Sequence, residues 1–170
     1  MGLQQITSYG KNGVVEPSVA PNGLTAAYST DEGSFVIRLD KSWSEQTPDK
    51  LPLIDSGHRF RPYAWSPDGK RLAGRVDPSS AFGEMALYSL DTKPYQLFKA
   101  SPSDNSHFFW LQGGHIVAFN VGSQMYAVNI QSGAVQELPP APAGATASPG
   151  SVDVYFSVAD VSADIWLISK

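Results

Sequence analysis

The chain has 170 residues, no cysteine, and 12 basic against 16 acidic side chains, for a net charge of −4. Disulfides and thiolate metal sites are therefore excluded, and the lack of any basic run argues against a nucleic-acid surface. No stretch reaches the roughly 18 apolar residues of a membrane span, and the start Met1-Gly2-Leu3-Gln4-Gln5 has neither the basic nor the apolar region of a signal peptide.

A chain of this length can bury roughly 70% of its unfolded surface without staples. Its 15 Gly and 13 Pro, with 4 Trp, 7 Tyr and 8 Phe, suit short strands joined by tight turns and leave little room for helix.

Taken in order, Leu3 to Thr7 reads as a strand with no partner before it. Pro21-Asn22-Gly23 is a turn followed by an apolar strand ending at Tyr28, and Asp31-Glu32-Gly33 turns the chain into a third strand from Phe35. A polar insert, Lys41 to Lys50, carries an isolated Trp43 and precedes a fourth strand at Leu51-Pro52-Leu53-Ile54. The stretch Tyr63-Ala64-Trp65-Ser66-Pro67-Asp68-Gly69-Lys70-Arg71-Leu72-Ala73-Gly74 then gives an aromatic strand, a tight turn and a second apolar strand. There Pro67 presets the first turn position, Asp68 bonds its own backbone and Gly69 supplies the positive φ. Glu84 to Asp91 and Pro94 to Phe98 complete that group of strands.

The same signals return twice. A strand ending at Trp110 precedes Gln112-Gly113-Gly114, a strand ending at Phe119, a third from Met125 and a fourth at Val135 to Leu138. After a stiff connector, Pro139 to Ala145, Ser148-Pro149-Gly150 leads into Val154 to Val158 and Ile165 to Ser169. Third strands thus begin at Phe35, Met85, Met125 and Ile165, which are 50, 40 and 40 residues apart, the longer interval holding the polar insert. A period near 40 with four strands per unit predicts an all-β, β-propeller architecture of four-stranded antiparallel blades. The blades fall at roughly 14–54, 59–98, 107–138 and 146–170, with the strand at 3–7 completing the last.

The Trp65-Ser66-Pro67-Asp68-Gly69-Lys70 run resembles the signature of TolB-type, WD-like propeller repeats of bacterial proteins. The ending Ala163-Asp164-Ile165-Trp166-Leu167-Ile168-Ser169 is similar to the last blade of propellers that some bacteria attach to kinases, regulators or peptidases. Only one unit carries the strict motif; Asn22 replaces the Asp in the first and Gly113 in the third. The resemblance implies a non-catalytic binding module with a protein partner, forming part of a larger protein. It also implies a place outside the cytoplasm, with any export signal upstream. The alternative it implies is the propeller portion of an enzyme, such as a serine peptidase gate or a channel-site hydrolase or lyase.

The residues themselves point to no chemistry of that kind. There is no Gly-x-Ser-x-Gly elbow, and His58, His107 and His115 fall at unlike positions of their units, so no metal or cofactor is expected. Asp31 and Glu32 read as turn chemistry before calcium ligands. A catalytic carboxylate pair would have to come from different units, and nothing in the sequence selects which of Glu16, Asp31, Glu84 and Asp104 converge.

Binding is expected where segments entering the innermost strands line the channel mouth: Glu16 in the first unit, Arg59 and Arg61 in the second, Asn105 and His107 in the third. Arg59-Phe60-Arg61 is the basic and aromatic cluster of the chain, and Arg is favoured at interfaces. Trp43, an aromatic with no counterpart in the other units, is a second candidate contact. Finally, the first and last units read as apolar on both faces, so the ends must meet something: two chains pairing into an eight-bladed ring is the expectation, with closure of four blades within one chain as the alternative.

Overall fold

The computed structural model describes residues 14–77, 84–102 and 106–139, together with the backbone of two further strands. Three four-stranded antiparallel sheets follow one another along the chain. The first holds β1 (Val15–Val19), β2 (Thr25–Thr30), β3 (Gly33–Arg38) and β4 (Asp49–Lys50). The second holds β5 (Arg59–Trp65), β6 (Arg71–Asp77), β7 (Met85–Ser89) and β8 (Tyr95–Phe98). The third holds β9 (Phe108–Leu111), β10 (Ile116–Val121), β11 (Gln124–Asn129) and β12 (Val135–Leu138). Within each, spatial order equals chain order, as in the blade of a propeller. Among the described residues no helix is long and apolar enough to cross a membrane.

The fourth unit differs from expectation. β13 (Val154–Val158) and β14 (Asp164–Ile168) pair as a two-stranded sheet, so among the described residues there are three four-stranded blades and not four. The strand expected at 3–7 lies outside the described residues. In the first blade the outer strand is also displaced, from Leu51–Ile54 to Asp49–Lys50. Leu51 still donates its N–H to the Ser34 carbonyl at 2.8 Å, but Pro52 has no N–H to continue the ladder, and Leu53 is turned out to solvent.

Asn22 fills the role of Asp68 in the inner turns. The Asp68 carboxylate accepts the Lys70 N–H at 3.1 Å, and the Asn22 side-chain oxygen accepts the Leu24 N–H at 2.9 Å. In both turns the glycine, Gly69 or Gly23, has φ of 69° and donates back to the residue three before it. Ser66 completes the tighter version, accepting the Arg71 N–H on its hydroxyl while that hydroxyl donates to Asp68.

Blades pack through apolar faces. Ala27, Val36, Leu51, Phe60, Trp65 and Leu72 fill the space between the first and second, and Ala73, Met85, Leu87, Trp110, Val117 and Phe119 that between the second and third. One tryptophan crosses each boundary. The Trp65 indole N–H donates to the Ser18 carbonyl at 2.9 Å, and that of Trp110 to the Ala64 carbonyl at 3.3 Å, so each inner strand is tied to the inner strand before it. At about 25 cal/mol per Å² and roughly 150–250 Å² per aromatic, burial of each indole is worth about 4–6 kcal/mol before entropy, against about 1 kcal/mol for its hydrogen bond. Burial therefore holds neighbouring blades together, and the bond sets how they are aligned.

Trp43 is different in kind. It starts a short 3-10 turn, Trp43–Glu45, stapled by reciprocal bonds between Ser42 and Glu45, and is 50% exposed where Trp65 is 8%. Replacing Trp65 by Phe keeps most of the volume but removes the indole donor, and is expected to cost about 1–2 kcal/mol of unfolding free energy. Trp43→Phe is expected to stay within about 0.5 kcal/mol, both read from urea denaturation followed by circular dichroism.

Candidate functional site

The first two innermost strands are both bulged, and the third is regular. In β1 the register shifts between Val15 and Ser18, with Glu16 held at φ of 55°, a region that a side chain other than glycine's occupies only under strain. In β5 it shifts between Pro62 and Ala64, leaving Tyr63 as the extra residue. Gly74, opposite Pro62, makes the second bulge fit: a Cβ there would collide with the Arg61 carbonyl oxygen and stand 2.9 Å from the Phe60 ring.

These distortions gather a charged cluster at one end of the second blade. Pairing of Arg59 with Asp77 and of Arg61 with Arg75 puts four charged side chains on one face of the β5–β6 pair. Asp77 stands among three guanidiniums: its Oδ2 accepts from Arg59 at 3.1 Å and from Arg61 at 3.0 Å, and its Oδ1 from Arg75 at 3.3 Å. Arg59 also donates to the Asp31 carbonyl at 2.6 Å, which ties the cluster to the first blade. Burial by itself would raise the Asp77 pKa, but the charge of Arg61 and the bond from Arg59 outweigh it and hold the carboxyl below its ordinary value.

Tyr63 and Glu16 form the inner side. Burial, followed by the nearby Glu16 charge, pushes the Tyr63 phenol up to about 12, so it is a neutral donor at any physiological pH. Glu16 Oε2 is buried and has no hydrogen-bond partner among the described residues, while the carboxylate as a whole lies in hydrogen-bonding contact with Tyr63. From Tyr63 an aromatic row runs into the third blade, stacked on Phe108, then Phe119, then Tyr126, with ring centroids 5.0, 5.4 and 5.6 Å apart. Beside the cluster an open cleft of about 230 Å³ is lined by Leu53, Ser56, Gly57, His58, Arg59 and Asp77.

Of the residues singled out from sequence, Glu16, Arg59 and Arg61 are thus brought together. His107 lies at the head of the third inner strand, exposed, its backbone N–H bonded to the Asn120 side chain at 2.6 Å. Trp43 stands apart, because the β3–β4 connection and the β1–β2 turn share the far end of the first sheet. Asn105 lies outside the described residues. His58 bonds the Asp55 carboxylate at 2.8 Å within its own loop. Among the described residues no three of His, Asp and Glu are grouped to hold a metal ion.

Arg75, Asp77 and Tyr63 were not anticipated. A buried Arg75 inside an apolar second strand, where the first blade has Ser29 and the third Asn120, is a signal present in the sequence; its facing Arg61 was hidden by the bulge.

No protein-family model matches the sequence, and no curated protein does. Solved structures do match. A protein described as TolB from Agrobacterium tumefaciens superposes with a TM-score of 0.69 at 18% identity, over 92% of this chain and 58% of that one. TolB from Acinetobacter baumannii gives 0.65 at 16%, over 92% and 40%, and the C-terminal WD40 domain of Sif2 gives 0.60 at 15%, over 97% and 61%. The fold is a TolB-type, WD40-like β-propeller. At these identities the likeness is one of fold, and the chain spans about half the length of the propellers it matches.

Within this propeller, Gly74→Ala is expected to undo the β5 bulge and destabilise by about 1–3 kcal/mol, the range for overpacking, measured by chemical denaturation. Because the folded pKa of Asp77 lies below its unfolded value of about 3.9, its contribution is complete above that pH and is lost as pH falls through the folded value. The urea midpoint of Asp77→Asn should therefore fall less steeply than wild type below about pH 4.

Proposed function

We propose that this propeller is a non-catalytic interaction module that engages a protein partner through the mouth formed by Glu16, Arg59, Arg61 and His107. The observation that carries the reading is the pair of bulges in adjacent inner strands, which aim Glu16, Arg61 and Tyr63 at one place and leave the third inner strand regular. Bulges cluster where a sheet re-aims side chains for use, and a strained non-glycine residue is kept where function over-determines it. TolB and WD40 structures being the matches fits an interaction module, to which the blades at 14–54, 59–98 and 107–138 would each supply part of the mouth.

Asn105, four residues after Ser101 at the approach to β9, belongs to the same proposed rim by its place in the sequence. Trp43 belongs to the opposite end and would serve a separate contact. The paired ring of two chains has less to support it: Ala26, Tyr28, Phe35 and Ile37 on the far face of the first blade, and Phe109, Leu111, Ala118 and Met125 on that of the third, are already buried in a single chain.

Immobilised protein should retain a reproducible set of partners from a native lysate. The variant Arg59→Lys/Arg61→Lys/His107→Ala, with charge largely kept, should lose at least most of that set while its far-ultraviolet spectrum is unchanged, and Trp43→Ala should keep it. The reverse pattern, loss with Trp43→Ala alone, would move the partner surface to the other face.

A further inference from the structure

The guanidiniums of the mouth have more donors than the carboxylates beside them use, and we propose that the mouth recognises a carboxylate on an acidic segment of a partner protein. This rests on the interaction-module reading and adds the chemistry of what is bound. Each guanidinium has five N–H donors in a fixed fork. Arg61 gives one to Asp77, and Arg59 gives one to Asp77 and one to the Asp31 carbonyl. Both side chains are open to solvent, 33% for Arg59 and 24% for Arg61, whereas Arg75 beneath them is 6% exposed. The outer two are the ones that an incoming group can reach, and Arg59 lines the cleft together with Asp77.

The arrangement is poor as a purely structural one. Arg61 and Arg75 stand directly opposite each other, a like-charged cross-strand pair that weakens a sheet. Asp77 lies against both and, with the Glu16 charge on Arg61 and the Tyr63 phenol beside Arg75, offsets their repulsion. Its carboxylate also shows which group the cluster fits, since it is already seated with one oxygen between Arg59 and Arg61. An arriving carboxylate of a Glu or Asp side chain would take donors that Asp77 leaves unused and compete with it for the rest. Planar fork against planar carboxylate favours this occupant over a spherical anion, and a Lys in place of either Arg offers a point charge without the fork.

Glu16 lies beside Arg61 and the Tyr63 phenol, and its charge helps raise the pKa of both. With a net charge of −4 the chain does not steer anions from afar, and recognition is a matter of these short contacts.

Fluorescence anisotropy with a fluorescein-labelled hexaglutamate peptide tests this, with hexaglutamine as control and inorganic phosphate as competitor. Hexaglutamate should bind saturably and hexaglutamine at least tenfold more weakly. Arg59→Lys/Arg61→Lys should weaken hexaglutamate at least fivefold at an unchanged melting temperature, and Asp77→Asn, which removes the internal competitor, should tighten it at least twofold. If the double variant proves unstable, Arg59→Lys alone, at the exposed rim, should weaken it at least threefold. Hexaglutamate binding no tighter than hexaglutamine, smaller losses in the Lys variants, or displacement by phosphate at the concentration of free hexaglutamate would each overturn the proposal. Lysate partners lost from the mouth variant with no hexaglutamate binding would leave the module standing and remove the carboxylate. Hexaglutamate bound with partners unaffected would remove the mouth as the partner surface.

Discussion

An indole N–H crossing from one inner strand to the carbonyl of the one before is the contact on which this structure turns. Trp65 reaches Ser18 and Trp110 reaches Ala64, and these two acceptors hold the same place in their blades, one residue before the position of the tryptophan itself. Blades touch mainly through non-directional apolar packing, which tolerates sliding. A hydrogen bond does not tolerate it, because a buried carbonyl or indole left unmatched costs more than the bond returns. Once the inner strands are fixed against one another, their entering ends must lie side by side, and the charged cluster of Arg59, Arg61, Arg75 and Asp77 has a fixed floor. Arg71 reinforces the second boundary, stacked over the Trp110 ring at 5.1 Å and donating to the Gly114 carbonyl at 3.2 Å.

The cluster itself comes from local departures from regular sheet. A regular second strand in the middle of a propeller is apolar, as Ala26 to Tyr28 and Val117 to Phe119 are. Gly74-Arg75-Val76-Asp77 breaks that rule with two charges, and the missing side chain at Gly74 gives the facing strand room to bulge. Regular pairing is thus given up in the inner strands of the first two blades and kept in that of the third.

Much of this was legible in the sequence. Turn glycines at Gly23 and Gly69, the near-40-residue spacing of the third strands and the recurrence of Trp65 and Trp110 gave the blades and the core, because turn chemistry and period are local properties. Arg59, Arg61 and Glu16 could be placed at the entering ends of the inner strands by counting back from the turns, where Arg59 and Arg61 share Asp77 and the Glu16 charge acts on Arg61. Arg75 and Asp77 could not be joined to them, since a bulge changes which residue faces which and leaves no mark in composition. The outer strand of the first blade was misplaced because Leu51, Leu53 and Ile54 suit a strand by type, while the missing N–H of Pro52 stops the ladder. Trp43 is legible as a lone aromatic, but only the topology puts it at the end of the sheet opposite the charged cluster.

Amide and indole hydrogen exchange by nuclear magnetic resonance reaches the central claim most directly, with the indole signals assigned by single Trp→Phe substitutions. The indole N–H protons of Trp65 and Trp110 should exchange with the slow core amides of Leu72 and Val117, and that of Trp43 should exchange at close to the rate of a free indole. Fast exchange at Trp65 and Trp110, equal to that of Trp43, would mean that neither indole is held by the neighbouring blade, and the account of how the inner strands are aligned would be wrong.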